Sequence, residues 1–493
     1  MTTENHRSAH AEEQRTLAVR YAPIIFVDDA EPFRPEIVGY TVFQRDGPSL
    51  SFPRNIHLSS PVRYVIEYAI WWDWDIGHLY ELEHVWVYVD DKGRVARVEA
   101  SWHGRYHTME VDGRPPMQDG HPVVYAEPGK HAMAPTPEWF TRRAAEVILS
   151  CTRLAGSGGV WENVLFGKPA VKSPRVDRLV RTYLRRKAFM PTFRFTRAIP
   201  VTEQMLVPWR QMERLIPARL RTWVHHLERS LSEEELSLLA IAHRGASAVA
   251  PENTLLAIRL AANMGADMVE MDVRLTADGV PVVIHDANLQ RLAGRGINIA
   301  DMTAEEVQSV EIRQGQRVPT LDEALRLCRE LAIGAYLELK EPGTPIASAL
   351  LVRQTDMTFH TIFSSFHPDL LLEVKQVLPH AYTAILFHDV DVDPLRLAQA
   401  SNANYVHPAW EKAAPRPDFL LTRSWVERVH AQDLGVITWH EERPNVVRAL
   451  RHIGVDGICS DRPDVITLAK SGMPLPGTRN SMWRPTPFNM VGR

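Results

Sequence analysis

Cysteine is scarce: Cys151, Cys328 and Cys459 are the only three in 493 residues. They are far apart and odd in number, which excludes a disulfide framework and a thiolate zinc motif. No uninterrupted apolar run reaches about 18 residues, so no membrane-spanning helix is expected. The first residues, MTTENHRSAHAEEQRT, lack an apolar core, so no secretory signal is expected and the cytoplasm is the default compartment. Charge of one sign is also missing: 56 Lys and Arg stand against 60 Asp and Glu, a formal net charge of -4. That balance names no partner. The hydrophobic share of 45% and the charged share of 24% belong to an ordinary globular chain, and the length predicts two or three domains.

What is present concentrates in two strings, AHRGASAVAPENT (242–254) and VEMDVRLTADGVPVVIHD (269–286). They gather His243, Arg244, Glu252, Glu270, Asp272 and His285, most of them at the ends of strand-like apolar runs. Glu270 and Asp272 are two apart, a spacing that puts both side chains on one face of a strand, roughly 7 Å apart. Two carboxylates aimed at one spot repel unless a cation lies between them. An oxygen-rich pair beside histidines suits a hard divalent ion, Ca²⁺ or Mg²⁺. AYLELK (335–340) adds Glu338 and Lys340 on another strand face. Three carboxylates, two histidines, an arginine and a lysine describe a site for a phosphate ester. The cation and the basic side chains hold phosphate oxygens, and the imidazoles move protons near neutral pH. A solvated strand face or a hydrogen-bonded histidine explains any one of these residues alone, but not the ordered set.

Apolar runs at 239–243, 268–273, 335–339, 361–365, 381–387, 404–407, 435–439 and 456–459 alternate with amphipathic stretches such as TLDEALRLCREL (320–331) and DLLLEVKQVL (369–378). The pattern predicts an α/β TIM barrel, (β/α)₈, over 237–472, with its active site at the C-terminal strand ends. The candidate residues fall at those ends.

Positions 238–470 resemble the glycerophosphodiester phosphodiesterases. The shared features are HRG and PENT within 243–254, E-x-D at 270–272, HD at 285–286, VPTLDEAL at 318–325 and LELK at 337–340. SF at 365–366, Trp439 after GVIT, and GVDGICSDRP at 454–463 continue the match. The departures are RLAG at 291–294 for an R-T-T-G-like stretch, HEE after Trp439 for a threonine and an asparagine, and SDRP for T-D-R-P. The resemblance implies metal-dependent cleavage of a glycerophosphodiester into glycerol 3-phosphate and an alcohol. Glu270, Asp272 and Glu338 would bind the cation, with His243 and His285 as base and acid. Arg244 and Lys340 would hold the phosphoryl oxygens, and Trp439 would contact substrate. The substrate's 2-hydroxyl would attack phosphorus first, and water would then open a cyclic phosphate. The segment 286–320 is a short form of the insertion that covers such sites, which leaves room for a small water-soluble diester. A phospholipase D of the sphingomyelinase type, sharing the barrel and histidine pair, is the alternative. A lipid-surface binding protein with a secondary barrel activity is a further one.

Residues 20–140 differ in kind. VIEYAIWWDWDIGHLYELEHVWVYVDDKGRV (65–95) reads as two strands around an acidic connection, then a turn at DDKG, and predicts a mostly antiparallel β-sandwich. Asp75, His78, Glu81 and Glu83 form a candidate second cation site; the rival is a charged strand face. On a regular strand Glu81 and Glu83 share a face, whereas Asp75 and His78 must come round from the preceding turn. GHLYELEHVWVYVD (77–90) is similar to the G-H-R-H-D-W-E-h-V signature of necrosis-inducing-type proteins and the Vps62-like family, with Tyr80, Glu81 and Leu82 in place of His, Asp and Trp. ASWHGRYHTM (100–109) and GHPVVYAEPGKHA (120–132) resemble later blocks. A binding or lid-like role for this domain stands beside catalysis. Residues 1–20 read as a polar tail, 473–493 as another, and 141–236 as a basic helical linker. From Lys168 to Arg221 fourteen basic residues face Asp177, Glu203 and Glu213. Peripheral contact with an anionic membrane through 168–221 is one reading, a solvated or interdomain face another. No nucleic acid is expected, because no reading motif accompanies the charge.

Overall fold

The computed structural model describes residues 2–160, 171–232, 235–236, 238–410 and 413–470, with side chains from residue 9 onward. The tail expected at 473–493 and Lys168 lie outside the described residues. Eight parallel strands form the C-terminal half: β1 (Leu239–Ala242), β2 (Met268–Leu275), β3 (Gly334–Leu339), β4 (Thr361–Ser365), β5 (Tyr382–Phe387), β6 (Tyr405–Pro408), β7 (Gly435–Thr438) and β8 (Gly457–Ser460). β1 pairs with both β8 and β2, so the sheet closes into the expected barrel. Strand parity then assigns the two faces. Val269, Met271 and Val273 of β2 pack outward with helix residues such as Leu325 and Ala349, while Met268, Tyr336, Ile362, Tyr405 and Ile437 fill the interior. Alternation from Met268 and Tyr336 sends Glu270, Asp272 and Glu338 inward. After β2 the strand Pro281–Val283 turns back antiparallel along its end and delivers His285 to the mouth. Residues 286–320 enclose a small core of their own around Leu289, Ile299, Val307 and Val318.

The N-terminal half contains two mixed sheets. One is a long meander, Pro35–Phe43, Val62–Trp74, His78–Asp90, Val95–Trp102 and Arg105–Thr108, paired antiparallel. The two strands of the 65–95 string are its centre. In the other sheet Ile24–Val27 lies parallel to His121–Ala126 and antiparallel to Arg197–Pro200. One hydrophobic cluster joins Ile25 and Val124 of this sheet to Val38, Ile66 and Val87 of the meander.

Two expectations differ from the structure. The polar tail is a helix, α1 (Thr2–Arg20), anchored where Ala18 and Tyr21 are buried. The stretch 141–236 is not a separate helical linker. Its helices α2 (Pro174–Lys187) and α3 (Trp209–Ser230) bury Leu179, Leu184, Met212 and Ile216 in the N-terminal core. Its strands Arg197–Pro200 and Leu206–Pro208 complete the two sheets. The physical reason is the apolar stripe on each helix, which needs a partner surface. Much of the positive charge is consumed in contacts. Arg178 pairs with Asp456 of the barrel at 2.6 Å and Arg185 with Asp267 at 2.7 Å. Arg186 pairs with Glu235 at 2.8 Å, and Arg219 holds Asp73. Among the described residues no helix is long and apolar enough to cross a membrane.

Candidate active site

Asp272 and Glu338 are register partners on β2 and β3, and Glu270 precedes Asp272 on the same inward face. One carboxylate oxygen from each of the three lies within 4.8 Å of the others, and all three side chains are buried. Just beyond β3, the Lys340 ammonium lies 2.7 Å from Asp272 and also contacts Glu338. The loop after β1 brings Arg244 in a left-handed conformation, φ 54°. Its backbone N–H donates to Glu270 at 2.8 Å, and its guanidinium lies 3.1 Å from Asp272 and 2.9 Å from Glu252. Asn253 donates its amide to Asp272 at 2.7 Å. Gly245, at φ 84°, makes this loop close enough: a Cβ there would meet the Cβ of Ala257 at 2.6 Å.

Burial, and then repulsion by Asp272 and Glu338, push the Glu270 carboxyl well above the usual carboxylate range. Glu338 is raised by burial and by Asp272. Burial opposes ionisation of Asp272 too, but Lys340 and Arg244 outweigh it and lower its pKa. The second oxygen of Glu270 is buried without a hydrogen-bond partner. Three converging hard oxygens, one orphaned, fit a small divalent cation.

His243 follows β1 and Asp461 follows β8. The His243 Nδ1 lies 2.7 Å from the Asp461 carboxylate, which also accepts from the Ser247 hydroxyl at 2.8 Å. Burial works against the Asp461 charge, yet the His243 contact outweighs it and brings its pKa to about 2. His285 is tied in the same way, Nδ1 to Asp286 at 2.8 Å. Asp286 in turn accepts from Arg291 at 2.6 Å, and Arg291 reaches Glu252 at 2.7 Å. With Nδ1 committed in both rings, Nε2 is the atom each offers for proton transfer. Trp439 follows β7 with its ring 5.6 Å from that of His243 and 6.0 Å from Phe366. His440 stacks on His243 at 5.3 Å, and Glu442 accepts from the Asp461 backbone N–H at 3.1 Å. The HEE departure therefore lies against His243 and Asp461. Asp461, Asp286, Arg291 and Asn253 were not singled out from sequence, although each lies in or beside the strings SDRP, HD, RLAG and PENT.

In the N-terminal half, ligand atoms of Asp75, His78 and Glu81 lie within 4.8 Å of one another. The turn does fold back: the Asp75 N–H donates to the His78 carbonyl at 3.0 Å. Tyr80, at φ 57°, breaks the strand alternation, so His78 and Glu81, three apart, meet on one side. Glu83 is not in this group. A regular strand would pair it with Glu81, but the Ser101 hydroxyl on the neighbouring strand takes its carboxylate. Burial raises Glu83 to about 7 and lowers His78 to about 4, leaving the imidazole neutral at pH 7.

The model of the Glycerophosphoryl diester phosphodiesterase family matches residues 243–465. A glycerophosphodiester phosphodiesterase of Caldanaerobacter subterraneus is 30% identical over 250 residues, covering 48% of this chain and 100% of the relative. Another, of Bacillus altitudinis, is 29% identical over 236 residues, 45% of this chain and 94% of the relative. Among solved structures, an Oleispira antarctica phosphodiesterase in complex with the product sn-glycerol-3-phosphate is 26% identical, with a TM-score of 0.43. It covers 48% of this chain and 97% of its own. With whole relatives aligned end to end on about half of its length, the chain belongs to the glycerophosphoryl diester phosphodiesterase family.

Proposed function

We propose that the barrel hydrolyses glycerophosphodiesters to glycerol 3-phosphate and an alcohol, with a Ca²⁺ or Mg²⁺ ion held by Glu270, Asp272 and Glu338. The observation that carries this reading is the convergence of the three carboxylates beside Lys340 and Arg244, at the end of the barrel where two carboxylate-anchored histidines stand. Bound there, the cation supplies positive charge to phosphoryl oxygens as bonds to phosphorus change. Arg244 and Lys340 turn charge toward the same oxygens and orient the diester. Nε2 of one histidine takes the proton of the attacking hydroxyl while Nε2 of the other protonates the departing alkoxide. If the 2-hydroxyl attacks first, the two histidines exchange roles when water opens the cyclic phosphate. Asp461 and Asp286 fix ring orientation and stabilise each imidazolium. Trp439 supplies an apolar wall.

Purified protein assayed on glycerophosphocholine, glycerophosphoethanolamine, glycerophosphoinositol and lysophosphatidylcholine, with product analysis, tests the reading. Glycerol 3-phosphate from the water-soluble diesters supports it. A lipid-borne cyclic phosphate as the sole product would transfer the enzyme to the phospholipase D class.

We read the two N-terminal sheets, with their common core, as a β-sandwich, and Asp75, His78 and Glu81 as its cation site, with Glu83 outside the ligand set. The likeness of 77–90 to the Vps62-like signature supports that site. Three buried, unpaired cysteines suit a cytoplasmic setting. Membrane contact through 168–221 has fewer cations to draw on than the sequence implies, because Arg178, Arg185, Arg186 and Arg219 are ion-paired.

A further inference from the structure

A cavity of ≈ 1520 Å³ lies at the opposite end of the barrel from the catalytic mouth. The first residues of six strands, Leu239, Met268, Gly334, Thr361, Tyr382 and Tyr405, line one side of it. The first domain closes it with Trp102, His103, Glu127 and Lys130, and α2 adds Arg181 and Arg185. Three cations crowd a single carboxylate on its wall. Arg185 lies 2.7 Å from Asp267, Lys470 contacts the same carboxylate, and Arg181 stands one helical turn before Arg185. Around Asp267, three positive charges on one negative leave a local excess of two. The nearby Asp177 offsets it only in part: it attracts Arg181 without pairing with it, and is held instead by Lys172 at 3.7 Å, by the Tyr382 hydroxyl and by the Val160 N–H at 2.7 Å. Among the described residues the Arg181 side chain makes no hydrogen bond or ion pair, and Asp267 and Asp177 attract it only from beyond pairing distance. Burial and the neighbouring Arg185 lower its pKa, and burial with the same arginines lowers that of Lys470. Uncompensated charge in a partly desolvated wall is costly, and an anion that accepts charge-assisted hydrogen bonds offsets the cost.

We infer that this cavity binds a phosphate-bearing dianion through Arg181, Arg185 and Lys470, a site separate from the hydrolytic one. The excess of two charges matches a phosphate monoester. The volume exceeds the roughly 300–1,000 Å³ of ordinary small-molecule pockets and leaves room for a sizeable organic part on the ester. A free phosphate ester and a lipid phosphomonoester headgroup share this chemistry.

Calorimetric titration of the full chain with inorganic phosphate tests the site. Two phosphate sites are expected: one weakened in Arg181→Gln, the other in Lys340→Met at the catalytic mouth. Arg181→Gln should weaken the first at least ~10-fold, the scale of a lost charged hydrogen bond, with Arg181→Lys recovering part and hydrolysis at the mouth unchanged. If Arg181→Gln fails to fold, Lys470→Met carries the same expectation. Flotation with phosphatidylcholine vesicles containing phosphatidic acid separates the sources. Flotation abolished by the substitution assigns a lipid headgroup, and phosphate binding without flotation assigns a free ester. A wild-type isotherm with a single site weakened in Lys340→Met, or two sites whose affinities are unchanged by substitution of Arg181 or Lys470, overturns the inference.

Discussion

Lys340 and Asp272 are an ion pair at 2.7 Å in the floor of the barrel mouth, and the same ammonium contacts Glu338. A lysine that neutralises two converging carboxylates keeps them close while leaving Glu270 opposite with a free oxygen. Lys340→Met should therefore do two separable things. The chelated protein loses about 3 kcal/mol of stability, the scale for stripping a partner from a buried ion pair. Added Ca²⁺ or Mg²⁺ restores most of it, while kcat stays at least ~10²-fold down. Thermal melts with and without chelator, beside the hydrolysis assay, check both.

The histidines are next. His243→Ala and His285→Ala should each cost at least ~10²-fold in kcat. Asp461→Asn should cost a similar factor with little change in KM, because an amide side chain no longer holds the Nδ1 proton of His243 in place. A variant that keeps near-normal turnover on a poor leaving group removes that histidine from the chemistry. The Asp461 carboxylate also carries a pH signature. Its folded pKa, about 2, lies below the unfolded value near ~3.9. The stabilisation is thus full above that value and lost as pH falls toward 2, and Asp461→Asn should flatten that acid limb of the denaturation profile.

Cation binding should grow stronger with pH for a reason visible in Glu270. Its pKa is raised in the fold, so the stability contributed by its protonated form is present below the ordinary carboxylate value and lost as pH rises through the raised one. In chelator the protein loses stability over that interval, and a divalent ion replaces the proton. The Tm difference between cation-loaded and chelated protein should widen as pH rises. Scanning fluorimetry across pH measures it, and a difference that narrows contradicts the assignment.

Gly245→Ala should cost roughly 1–3 kcal/mol, since a residue at φ 84° and a Cβ at 2.6 Å from Ala257 both demand movement of the loop. Because Arg244 and His243 ride on that loop, kcat should fall with stability. Chemical denaturation and the activity assay together distinguish this from a purely structural glycine, for which specific activity of the folded fraction would be unchanged.

What sequence made legible follows the range of the interactions. Glu270 and Asp272 declare themselves because a period of two puts them on one strand face, and LELK repeats the signal on the next strand. His243 and Asp461 are partners across 218 positions, a distance no local pattern spans. The Asp75, His78 and Glu81 group was only partly readable. Regular alternation places Glu83 with Glu81, whereas the left-handed Tyr80 turns His78 toward Glu81 and Ser101 draws Glu83 away. Within 141–236 the amphipathic helices were legible, but Arg197–Pro200 and Leu206–Pro208 are strands only because Ile24–Val27 and Pro35–Phe43 lie beside them. Three- and four-residue strands carry too little periodicity to read alone.

The most direct measurement is phosphorus NMR of glycerophosphocholine turned over by the full chain, first in chelator and then after Ca²⁺ or Mg²⁺ is returned. Wild type should be silent in chelator and release glycerol 3-phosphate once the cation is restored, while folded Asp272→Asn should stay silent in both. Undiminished hydrolysis by wild type in chelator, or by Asp272→Asn under either condition, would contradict a cation held by Glu270, Asp272 and Glu338.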